Sequence, residues 1–121
     1  MSTTPVDPSS TPAWELLGSQ AASFDPDLRG WFAGDPGRVE RLTFTAADLL
    51  VDLSKGLVDD AVLSALLDLA DQVGLAERRD AMLRGDRINV TEGRAVLHTA
   101  LRLPADAELE VDGQDVVADV H

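Results

Sequence analysis

The chain has 121 residues, enough for one domain with a core but not for two. Hydrophobic residues make up 45% and charged residues 26%, an ordinary globular balance, while aromatics are only 4% with no tyrosine, so an aliphatic core of Leu, Val and Ala is expected. Twenty-two acids against ten bases give a formal charge of -12, which repels the phosphates of nucleic acids and anionic membrane surfaces and sets both aside as partners.

With no cysteine, disulfides, thiolate nucleophiles and Cys-based zinc or iron–sulfur sites are excluded, and a reducing compartment is fitting. The N-terminus MSTTPVDPSSTP has no basic stretch followed by an apolar run, so it is not a secretion signal. No apolar run approaches the roughly 18 residues that a membrane span needs. A soluble, cytoplasmic protein is expected.

Residues 1–11 are Ser, Thr, Pro and Asp with little to bury, and are expected to be a disordered lead-in to a folded unit over 12–121. Thr11-Pro12 then reads as a cap and first helical position, followed by Ala13, Trp14, Leu16, Leu17, Ala21 and Phe24 at helical spacings. Asp25-Pro26 breaks this helix, and Asp27–Gly34 makes a short second one presenting Leu28, Trp31 and Phe32. The aromatics of Phe24–Phe32 enclose no polar catalytic group. They are expected to anchor onto a neighbouring surface.

Asp35-Pro36-Gly37 is a turn. Beyond it Arg41–Thr45 alternates polar and apolar residues, and Asp48–Leu53 is a short apolar run bounded by acids; together they predict two strands with a brief connection, ended by Ser54-Lys55-Gly56. The clearest helix is Asp59–Val73, which opens on two acids and stops at Gly74. At roughly 100° per residue its apolar side chains cover an arc of about 200°, twice what a surface helix needs, so it should be covered on two sides. Ala76–Arg84 continues as a shorter charged helix closed by Gly85.

Asn89–Leu103, NVTEGRAVLHTALRL, is predicted to be an amphipathic helix with Thr91 as its cap and Pro104 as its stop. On that helix Arg94, His98 and Arg102 fall along one edge, opposite Val96, Leu97, Ala100 and Leu101. Cations one turn apart can converge on a phosphate or carboxylate, which makes the edge an anion-contact candidate; a salt-bridged edge or subunit interface is the plainer alternative. Asp112-Gly113 within Glu108–Val117 is a hairpin signature, and Ala118–His121 reads as the opening of another element, as in the N-terminal piece of something longer.

No other candidate carries chemistry. The two histidines are far apart and the Asp pairs lack the spacing of an EF-hand or an HExxH site, so no metal is expected. Ser19, Ser23, Ser54 and Ser64 lack a nucleophile setting, and no phosphate-binding glycine loop is present. No catalytic residue and no cofactor are assigned.

Ile88–Pro104, INVTEGRAVLHTALRLP, closely resembles the glucose-6-phosphate isomerase family, whose N-terminal region carries a segment of the form INxTExRAVLHxALR. LLVDLSKGLVDD (Leu49–Asp60), RRDAMLRGDRIN (Arg78–Asn89) and EVDGQDVVADVH (Glu110–His121) are similar to further segments of the family in the same order. The resemblance spans residues 12–121 and is strongest over 49–121.

The resemblance implies a metal-independent, dimeric, cytoplasmic isomerase of glycolysis and gluconeogenesis that interconverts glucose 6-phosphate and fructose 6-phosphate. In the family a histidine opens the sugar ring and a glutamate moves a proton between C1 and C2 through an enediol. Those groups and the sugar-phosphate site belong to two α/β/α domains C-terminal to the matched segment, so no catalytic residue is carried over; His98 matches the histidine of RAVLH and not the ring-opening one. The expected fold is mainly α with two short β-hairpins (α+β), the N-terminal portion of a larger α/β/α enzyme, inactive alone. Its expected partners are the C-terminal domains and a second subunit. The alternative is a non-catalytic acidic helical module that binds through Phe24–Phe32 or the cationic edge.

Overall fold

The computed structural model describes residues 4–121. Helix α1 (Pro12–Ala22) starts as its sequence dictates: Pro12 takes the first helical position and Thr11 Oγ1 accepts from the Trp14 N–H at 3.3 Å. Of the expected lead-in, residues 1–3 lie outside the described residues. Pro8–Ser10 form a 3-10 turn capped by Asp7, whose Oδ1 accepts from the Ser9 N–H at 2.9 Å. The Asp, Ser and Pro that suggest disorder are also the residues that make caps and turns.

Helix α2 (Leu28–Gly34) is capped by Asp27, which accepts from the Gly30 N–H at 2.9 Å. The Asp35–Gly37 turn leads into α3 (Arg38–Arg41), a single helical turn absent from the sequence reading. Strands β1 (Thr43–Ala46) and β2 (Leu49–Asp52) pair antiparallel, Thr43 opposite Asp52 and Ala46 opposite Leu49, across the two residues Ala47 and Asp48.

Helix α4 (Asp60–Gln72) is capped by Asp59, whose Oδ1 accepts from the Val62 N–H at 2.8 Å. Gly74, at φ 67°, turns the chain into α5 (Leu75–Leu83). Helices α1 and α4 pack antiparallel, with Ala13 and Ala65 buried. The start of α1 meets the end of α4, where the Ala13 N–H donates to Gln72 Oε1 at 3.0 Å.

The helix predicted over Asn89–Leu103 does not form. Asn89 and Arg94 instead close a tight bridge, with N–H to O distances of 3.1 and 3.2 Å, around Gly93 at φ 64°. Asn89 Oδ1 accepts from the Glu92 N–H at 3.2 Å and the Thr91 hydroxyl at 2.8 Å. The same Asn bond opens helices elsewhere; here Gly93 turns left-handed and folds the chain back, so Arg94 pairs with Asn89 and no helix continues. Thr91 bonds Asn89 and caps no helix. The segment's only helical turn is a 3-10 turn at Ala100–Arg102.

Strands β3 (Glu110–Val111) and β4 (Gln114–Asp115) form the expected second hairpin, with Asp112 at φ 54° and Gly113 at φ 81°. The chain is thus mainly α with two short antiparallel hairpins. Among the described residues no helix is long and apolar enough to cross a membrane.

Among the described residues five apolar residues are buried, Ala13, Leu42, Ala65, Ala100 and Val117, whereas sixteen large apolar side chains are exposed. The described elements therefore leave much apolar surface uncovered. Helix α4 shows this on its wide arc: Ala65 is buried and Leu63 and Leu69 half-buried, but Leu66 and Leu67 are exposed.

Candidate functional site

The most organised polar group is Arg38, which sequence reasoning missed. The single turn α3 points it inward, where it is 3% exposed. Its Nε donates to the Ser54 carbonyl at 2.8 Å, and its Nη2 donates to the carbonyls of Gly56 at 3.0 Å and Val58 at 2.9 Å. The guanidinium lies 5.0 Å from the Trp31 ring centroid and 5.9 Å from that of Phe32, both within cation–π range. Trp31 in turn sits 6.1 Å from Phe24. Much of the aromatic cluster is therefore used within the chain, to seat a buried arginine. An arginine a few residues beyond three aromatics was the available signal.

Arg38 so fixes the loop between β2 and α4, and with it the capping residue Asp59. One turn on, Arg41 bridges Asp35 and Asp60, linking α3 to the start of α4. The bond to Asp35 does most to raise the Arg41 pKa above its ordinary value. Trp31, Asp35, Arg38, Arg41 and Asp60 line an open cavity of about 240 Å³. Its cations are already engaged by main-chain carbonyls or carboxylates, which leaves the cavity braced and without a poised acid, base or nucleophile.

At the end of β2 the Asp52 carboxylate accepts from the N–H of the buried Ser54 at 2.8 Å. The Ser54 hydroxyl and N–H hold that carboxyl below the usual carboxylate range. This is a turn device that terminates the hairpin. Among the described residues no group of three or more His, Asp and Glu stands close enough to hold a metal ion.

Arg94, His98 and Arg102 are all exposed, and no helix aligns them. Arg94 sits in the bridge to Asn89, His98 in a turn, and Arg102 at the end of the 3-10 turn. The one-turn spacing that suggested convergence on an anion is therefore absent. Nearby, Arg87 pairs with Asp112 at 2.7 Å, tying the segment after α5 to the second hairpin, and Arg84 pairs with Asp86 at 2.9 Å.

Fold and site together define a helical segment with open apolar faces and a braced interior, and among the described residues none of the clusters above assembles an acid, base or nucleophile. Residues 52–121 match the family model for phosphoglucose isomerase, and the chain belongs to that family. It is 55% identical over 115 residues to a glucose-6-phosphate isomerase of Corynebacterium efficiens, covering 95% of this chain and 21% of the relative. It is also 55% identical to one of Mycolicibacterium smegmatis, over 96% of this chain and 21% of that protein. A glucose-6-phosphate isomerase 1 of Streptomyces coelicolor is 54% identical, over 91% of this chain and 20% of its own length. The chain spans about a fifth of the length of the relatives it matches, and the family match disfavours the reading as a separate interaction module.

Proposed function

We propose that the chain is the N-terminal segment of a glucose-6-phosphate isomerase, a cytoplasmic homodimer that interconverts glucose 6-phosphate and fructose 6-phosphate in glycolysis and gluconeogenesis. The observation that carries this is 55% identity over 95% of the chain to a protein of that name, of which the chain covers only 21%. The acidic charge, the lack of cysteine and the uncovered apolar surface fit the same reading.

The segment's part in the enzyme is structural. Sugar phosphate binds, and the proton transfer takes place, in the α/β domains that follow. Residues 12–121 serve as the unit that packs against those domains, and Arg94, His98 and Arg102 make contacts at that junction or between subunits. A coupled assay starting from fructose 6-phosphate tests this directly. The full-length protein is expected to turn over and the purified 121-residue chain is not; turnover by the short chain places the reaction centre within it and overturns the reading.

A further inference from the structure

The register of the first hairpin sorts its side chains into two unlike faces. Phe44 stands opposite Val51 and Ala46 opposite Leu49, so these four share one side; Thr43, Thr45, Leu50 and Asp52 share the other. The first side is wholly apolar, yet only Val51 on it is half-buried, while Phe44 is 49% and Leu49 68% exposed, so the chain's own helices leave most of it uncovered. A two-stranded hairpin is marginal alone, and an apolar face on it needs a layer to lie against.

We propose that the Phe44/Ala46/Leu49/Val51 face is seated on the C-terminal remainder of the same polypeptide. This rests on the reading that the chain begins a longer isomerase. The relative from Corynebacterium efficiens is matched over only 21% of its length, which leaves about four-fifths of such a protein to supply the covering surface. A second copy of this segment is the poorer occupant. It brings the same charge of -12, so two copies approach against repulsion.

The test uses the full-length protein with Leu49→Cys or Phe44→Cys. These 121 residues contain no cysteine, so peptide-resolved mass spectrometry reads maleimide labelling at the chosen position alone. Labelling of both variants is expected to be at least about tenfold slower in the native protein than in denaturant, and to stay so on dilution to the smallest native species. Native labelling as fast as denatured labelling overturns the proposal, and protection lost on dilution assigns the face to a second copy and overturns it equally. The unsubstituted protein is assayed in parallel with fructose 6-phosphate. Absent turnover defeats the isomerase reading, whereas turnover with unprotected cysteines defeats only the seating of the hairpin.

Discussion

The N–H of Ala13 donates to Gln72 Oε1 at 3.0 Å across a sequence separation of 59 residues. The first turn of a helix has donors with no partner inside the helix, and here a side chain from the last turn of α4 satisfies one of them. The bond fixes how α1 and α4 meet end to end. Gln72→Ala is expected to lower stability by about 1 kcal/mol, and Gln72→Glu, which keeps an acceptor, by less. Urea unfolding with an unchanged slope measures both.

Arg38 offers a larger effect. Arg38→Met leaves the carbonyls of Ser54, Gly56 and Val58 without their donor and removes the cation from Trp31, so a loss of about 3 kcal/mol is expected. Arg38→Lys recovers little of it, because an ammonium has no planar fork to reach the same set of carbonyls. Denaturation followed by tryptophan fluorescence reads the loss.

Gly85 is buried at φ 79°, and a Cβ placed there stands 2.6 Å from Val111 Cγ2. Gly85→Ala therefore combines a disfavoured backbone with a clash against the second hairpin. A destabilisation of about 2 kcal/mol or more is expected, seen as a lowered Tm.

The depressed pKa of Asp52 sets a direction for pH dependence. A carboxyl held lower in the folded chain than in the unfolded one contributes stability that is present above its ordinary value near 3.8, and lost as pH falls through the folded value. Stability is expected to drop on acidification below about pH 4, and Asp52→Asn to show a shallower drop there. Unfolding curves across that window, compared between the two proteins, check it.

For the full-length protein, the exposed positions of Arg94 and Arg102 predict that replacing both by Ala leaves the KM for fructose 6-phosphate within about threefold of its original value. A large rise in KM with kcat unchanged assigns them to the substrate instead. Steady-state kinetics on the double variant decide between these roles.

Local rules made much of the fold legible. Thr11-Pro12, Asp27, Asp59 and Gly74 mark helix ends through side-chain caps and a left-handed glycine, and Asp112-Gly113 marks a hairpin, each needing only its neighbours to be understood. The helical periodicity of Asn89–Leu103 misleads because Gly93 takes a left-handed turn that pairs Arg94 back onto Asn89. Arg38 stayed hidden for a different reason. Its carbonyl acceptors lie sixteen to twenty residues away, and main-chain acceptors have no letter in the sequence.

That choice of acceptors separates the course of the loop from its side chains. Arg38 grips the backbone of the loop and none of its side chains, so a change of side chain at Lys55, Leu57 or Val58 removes none of its three acceptors. One side chain thereby sets the path of a whole connection through main-chain bonds alone.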